Sequence, residues 1–141
     1  MEKEKLLDIK DLSVTYKTED GIVYAVNNLN LTLEPKETLG FVGETGAGKT
    51  TTAMTIMGLL PTPPGKVTSG EIMFDGKDML KIGDKERRGI LGEKISMIFQ
   101  DPMTSLNPSM KVGDQIVEMI RLHKVIGKKE AFEEPADCWR W

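Results

Sequence analysis

One octapeptide concentrates the chain's capacity for chemistry: Gly43-Glu44-Thr45-Gly46-Ala47-Gly48-Lys49-Thr50. It fits G-x-x-x-x-G-K-[ST] at every fixed position. The glycines permit backbone angles closed to other residues and let the chain approach an anion without an intervening Cβ. Successive N–H groups then point inward as an anion nest. A helix beginning near Thr50 would add its positive dipole end at the same place. Lys49 supplies a mobile point charge suited to terminal phosphates, and the Thr50 hydroxyl suits Mg²⁺. With glycine at ~7% of residues, chance yields such a match in roughly 0.5% of chains this long.

The loop works only if a strand feeds it and a helix leaves it, and the flanking residues predict both. Thr38 to Val42 is a short apolar run bounded by glycine, read as a buried parallel strand. Thr50 to Leu60 reads as a helix ended by Pro61. Upstream, Leu6 to Tyr16 partly alternates and reads as a half-buried strand; Glu19-Asp20-Gly21 supplies a turn. Ile22 to Leu33 reads as a second strand with a return. Downstream, Pro61 to Gly70 predicts a loop, Glu71 to Phe74 with Asp75-Gly76 a strand and turn, and Asp84 to Leu91 a charged helix. Lys94 to Phe99 reads as another short strand. Val112 to Ile126 carries Val112, Ile116, Met119, Ile120 and Val125 at helical spacing, an amphipathic helix. The order implies an α/β fold.

Composition narrows the function classes. The 141 residues include 19 basic and 22 acidic side chains, a net charge of −3, which offers no electrostatic reason to expect nucleic acid as a partner. A single cysteine, Cys138, excludes an internal disulfide framework and fits a reducing compartment. The longest apolar-leaning stretch, Ala53 to Leu60, is far short of the ~20 residues that span a bilayer. Met1 to Lys5 carries no apolar signal-peptide core behind it.

Beyond the first loop, several stretches together resemble the ATP-binding cassette (ABC) transporter ATPases, in their oligopeptide/dipeptide importer branch. They are LSVTY at 12–16, VYAVNNLNLTL at 23–33, LGFVGETGAGKTTTAMTIMGLLP at 39–61, TSGEIMFDG at 68–76 and ISMIFQDPMTSLNPSMKVGDQI at 95–116. The run Phe99 to Pro108 is the most diagnostic of the branch. The resemblance implies a P-loop NTPase of the ABC ATPase type, here incomplete: an antiparallel β subdomain, the first part of a RecA-like core and the start of a helical subdomain.

By the same resemblance Tyr16 stacks on adenine, a chemistry worth about 1–3 kcal/mol in nucleic-acid cases, and Tyr24 is left as a packing residue. Gln100 aligns with the glutamine that contacts Mg²⁺ and the attacking water, a role an amide oxygen fills without adding charge. The implied nucleotide-binding set is Tyr16, Gly43, Glu44, Thr45, Gly46, Ala47, Gly48, Lys49, Thr50 and Thr51. Lys49 and Gln100 stand as catalytic residues, and Thr50 and Gln100 as Mg²⁺ ligands. Threonine at 45 and 50, where the family often has serine, keeps both hydroxyls. ATP and Mg²⁺ are the implied cofactors. Transmembrane permease subunits and a second ABC ATPase are the implied partners, with a place in the cytoplasm on the inner face of the cell membrane.

Parts of the family's machinery are not in these 141 residues. After Gln100 there is no Leu-Ser-Gly-Gly-Gln-like signature run, no apolar strand ending in Asp-Glu (Walker B), and no switch histidine on a later strand. His123, the only histidine, reads as a solvated helix residue. Residues 1–132 therefore match the N-terminal part of an ABC nucleotide-binding domain, and 133–141 leave the pattern. In the reading frame offset by two bases, the codons from Asp137 to Trp141 and a following stop encode Leu-Leu-(Glu/Ala)-(Met/Leu/Val)-Val. The family continues with a helix resembling Arg-Ala-x-x-Leu-Leu-Glu-x-Val-Gly. A frameshifted, prematurely ended copy of a longer ATPase is the expectation, a divergent tail or an expressed fragment the alternatives; the gene sequence beyond the stop decides.

Overall fold

A computed structural model describes residues 5–99, 106–124, 126–127 and 129–132. The chain divides into two compact units, Met1–Arg88 and Gly89–Trp141. In the first, strands β1 (Leu7–Thr18), β2 (Gly21–Leu33), β3 (Gly65–Phe74) and β4 (Lys77–Asp78) form one antiparallel sheet in the order β2-β1-β3-β4, and helix α1 (Lys49–Ile56) lies between β2 and β3 in sequence. Helix α2 (Asp84–Ile90) begins in the first unit and its last two residues fall in the second, which also holds α3 (Val112–His123).

The partial alternation of β1 has a structural cause. Leu7 and Ile9 face the core, and strict alternation would send Asp11 after them. Instead Asp11 takes φ +48°, both ladders shift register there, and Leu12 and Val14 return to the buried face. Asn30 Oδ1 accepts from the Asp11 amide at 3.0 Å, and Ser69 Oγ donates to the Asp11 carbonyl at 3.0 Å. Gly70 lies so close beneath that a Cβ there would stand 2.5 Å from Leu12 Cα. The core of this unit is Leu7, Ile9, Leu12, Val14, Val26, Ile72, Phe74 and Met79, with Met57, Thr52 and Thr55 from α1 and the residues just after it.

The hairpins turn where predicted: Thr18 pairs with Gly21 across Glu19-Asp20, and Phe74 with Lys77 across Asp75-Gly76, both with positive φ. Several expectations need correction. Residues 22–33 make no return but continue as one strand. The loop after Pro61 is short, because β3 already begins at Gly65 and pairs it with Tyr16. Helix α1 stops a turn before Pro61: Gly58 at φ +67° lets the Gly58 and Leu59 amides close on the Thr55 and Met54 carbonyls at 3.0 and 2.8 Å, a Schellman cap. Arg87 seals this end, its guanidinium donating to the Met79 carbonyl at 3.2 Å and lying against Gly58.

Two predicted strands are missing. Residues 38–42 have no regular structure and leave Leu39, Phe41 and Val42 exposed. Residues 94–99 reduce to one parallel bridge, Leu91 with Ile95, and leave Ile98 and Phe99 exposed. An extended segment needs a partner to take up its backbone N–H and C=O groups; among the described residues none pairs with 38–42, and 94–99 has only that one bridge. Within the second unit, α3 buries Val117 and half-buries the predicted Ile116 and Ile120, while Val112 and Met119 are corrected to exposed. His123 is exposed, as predicted. Residues 133–141 lie outside the described residues.

Candidate phosphate-binding site

The octapeptide forms a turn that opens directly into α1. Gly46 and Gly48 have φ +87° and +78°, and the Ala47 amide closes on the Glu44 carbonyl at 3.1 Å. No side chain caps α1 and no acidic residue stands in its first turn. The first amides of a helix have no intrahelical acceptor, so those at Lys49, Thr50 and Thr51 are left for a ligand or solvent. Lys49 Nζ arches back to the carbonyls of Gly43 and Glu44 at 2.5 and 2.7 Å, which holds its charge against the loop's own backbone. A Cβ at Gly43 would stand 3.1 Å from Ala47 Cβ and 3.9 Å from Lys49 Nζ, filling the cradle. These features fit a polyphosphate: free amides, a cation and clearance stand together at a helix start whose first turn carries no acidic residue.

The threonines that open α1 divide by their hydroxyls. Thr52 Oγ1 donates to the Gly48 carbonyl at 2.9 Å and Thr55 Oγ1 to the Thr51 carbonyl at 2.7 Å, which lets both be buried. Thr50 is exposed, and its hydroxyl binds nothing among the described residues, the arrangement a hard-cation ligand requires. Thr51 is half-buried, and its Oγ1 stands 3.4 Å from the Tyr16 phenol oxygen.

Gly48 anchors the loop to the sheet. It is buried, and a Cβ there would lie 2.2 Å from the Ala25 carbonyl oxygen. Ala25 sits at a register shift, between the pairs Val14–Val26 and Thr15–Tyr24, where β2 bulges. Only a residue with no Cβ can rest there. Sequence reasoning missed Ala25, and no local signal could have found it, because its part is played by a backbone carbonyl.

Of the sequence-predicted residues, Gly43, Glu44, Thr45, Gly46, Ala47, Gly48, Lys49, Thr50 and Thr51 form one continuous loop and first helical turn, and half-buried Tyr16 reaches that turn from β1. Tyr24 is corrected: it is 72% exposed on edge strand β2 and packs against little. Gln100 lies outside the described residues.

Known proteins match this arrangement at two levels. The ABC transporter family model matches residues 26–139. The oligopeptide transport ATP-binding protein OppD of Salmonella typhimurium (strain LT2) is 54% identical over 129 residues, 92% of this chain and 38% of that protein. OppD of Bacillus subtilis (strain 168) is 50% identical over 127 residues, 90% of this chain and 36% of its own length. The dipeptide transport ATP-binding protein DppD of B. subtilis is 50% identical over 131 residues, with 93% and 39% covered. The chain thus spans well under half the length of these curated relatives. Among solved structures, the dimeric bacterial ABC transporter cassette MJ0796 superposes with TM-score 0.78 at 25% identity, over 94% of this chain and 55% of that one. The same cassette as a post-hydrolysis dimer bound to ADP and Pi gives 0.75. The fold expected from the resemblance, an incomplete ABC-type α/β cassette, is the one found. By family match, by sequence identity and by fold, the chain belongs to the ABC transporter family, among the ATP-binding proteins of its oligopeptide/dipeptide branch.

Proposed function

We propose that the chain corresponds to part of the ATP-binding subunit of an ABC importer for peptides, the kind of subunit that couples ATP binding and hydrolysis to transport across the membrane. The observation that carries the reading is the uncapped start of α1 behind Gly43–Gly48, with Lys49 Nζ held on the Gly43 and Glu44 carbonyls of the same loop. In this reading the amides of Lys49, Thr50 and Thr51 grip the β- and γ-phosphates, Lys49 neutralises them, and the Thr50 hydroxyl would hold Mg²⁺. Tyr16 offers its ring to adenine. Gln100 contributes a second oxygen to the metal. Bound Mg²⁺ supplies charge neutralisation of the phosphates.

Membership of the ABC ATPase family implies ATP hydrolysis. For these 141 residues alone we propose a nucleotide-binding module without turnover. Phosphoryl transfer is positioning plus charge stabilisation, and the sequence contains neither an Asp-Glu strand end for metal and water nor a signature run for a partner's nucleotide. Leu39, Phe41 and Val42, exposed beside the loop, favour the same view. The complete subunit would pair with a second ABC ATPase, of its own kind or a paralogue, and dock on permease subunits at the inner face of the membrane. Among the described residues no helix is long and apolar enough to cross a membrane.

The test is a calorimetric titration of the 141-residue chain with ATP and Mg²⁺. Lys49→Ala is expected to weaken binding at least about tenfold, the equivalent of one charge-assisted phosphate contact. Unchanged affinity in Lys49→Ala overturns the reading.

A further inference from the structure

Two contacts tie the phosphate-binding end of α1 to the sheet, and they differ in kind. The first is the close seating of Gly48 on the Ala25 carbonyl of β2. That contact fixes a distance, and the buried Thr52 and Thr55 add packing, but neither gives the first turn of α1 a directional bond to the sheet. The second is the Thr51 hydroxyl, 3.4 Å from the Tyr16 phenol oxygen in β1. Thr52 and Thr55 have spent their hydroxyls on α1's own carbonyls, and among the described residues no other side-chain hydrogen bond joins α1 to the sheet. Tyr16 is a firm anchor for such a bond. Its backbone is paired on both sides, with Val23 of β2 and Gly65 of β3, and its side chain is half-buried.

We infer that Tyr16 is a positioning residue for the phosphates: its hydroxyl, acting through Thr51, sets the swing of α1's first turn and so the aim of the amides at Lys49, Thr50 and Thr51. The inference rests on the nucleotide-binding reading and adds to it a role that stacking on a base does not supply. A ring needs no hydroxyl to stack. A hydroxyl that orients amides matters even to a ligand that has no base.

That difference defines the experiment. The full chain, with Mg²⁺, is titrated with ATP and separately with inorganic tripolyphosphate, which carries the phosphates and no base. Tyr16→Phe keeps the ring and the strand, and is expected to weaken tripolyphosphate and ATP by the same factor, about two- to fivefold for one long neutral hydrogen bond. In a Thr51→Val background Tyr16→Phe is expected to change nothing further, and in Thr51→Ser, which retains a hydroxyl, its effect is expected to return. The inference is overturned if Tyr16→Phe leaves the tripolyphosphate Kd unchanged while Tyr16→Ala weakens ATP alone. It is equally overturned if Tyr16→Phe weakens binding by the same factor with or without the Thr51 hydroxyl, since that would be a general structural loss. Should the wild-type chain bind neither ligand, the nucleotide-binding reading itself fails, an outcome separate from both.

Discussion

Gly48→Ala isolates the contact on which the loop rests. At φ +78° an alanine pays about 1–2 kcal/mol for the left-handed backbone. The new Cβ would also stand 2.2 Å from the Ala25 carbonyl oxygen, about 1 Å inside an ordinary C···O approach of ~3.3 Å. That oxygen belongs to backbone flanked by the pairs Val14–Val26 and Thr15–Tyr24, so it yields only if β2 moves against β1. Overpacking of this kind costs about 1–3 kcal/mol, for a total of about 2–5 kcal/mol out of the ~5–15 kcal/mol typical of a whole domain. Gly46→Ala is the internal control. Its φ is +87°, yet nothing lies within 4 Å of the added Cβ, so only the backbone cost of about 1–2 kcal/mol remains. Urea unfolding of both variants, followed by far-ultraviolet circular dichroism, should place Gly48→Ala below Gly46→Ala by about 1–3 kcal/mol. Equal midpoints and slopes for the two would refute the seating of the loop on Ala25.

Two further outcomes follow from the same geometry. The 141-residue chain should show no Lys49-dependent ATP turnover, and a rate near the ~10 s⁻¹ of an ordinary enzyme, abolished by Lys49→Ala, would contradict the binding-only reading. At the sheet surface, the Lys5 ammonium at 3.1 Å and the Thr32 hydroxyl at 2.9 Å, with Lys10 beyond, hold the Asp8 carboxyl below its ordinary 3.8. A depressed folded-state value means stability present above 3.8 and lost as pH falls through the lower folded value. Asp8→Asn should therefore cost under about 1 kcal/mol at neutral pH, as a solvent-facing pair does, and nothing once Asp8 is protonated in both states. A cost that persists at that acidity would show that the electrostatic account of Asp8 is wrong.

Much of the site was legible from the chain because its parts are short-range. The two glycines with positive φ, the lysine and the threonine stand within eight residues, and local sterics bend such a stretch the same way in many surroundings. The Asp-Gly hairpin between β3 and β4 was readable for the same reason. Misreadings began where a second segment had to agree. Leu6 to Tyr16 looked only partly alternating because the bulge at Asp11, set by Asn30 and Gly70 from neighbouring strands, inserts one residue into the period. Residues 38–42 looked like a buried strand and 94–99 like a short one because apolar runs advertise burial, but burial needs something to cover them.

The sequence by itself determined the loop chemistry, the family and the positions of the tight turns, since each depends on residue types a few positions apart. The tertiary structure alone decided what Tyr16 touches and where the loop rests: the Tyr16 phenol reaches Thr51 across 35 positions while Tyr24 turns to solvent, and Gly48 finds the Ala25 carbonyl. The reason is that these contacts are fixed by strand register, and register belongs to pairs of segments rather than to either one.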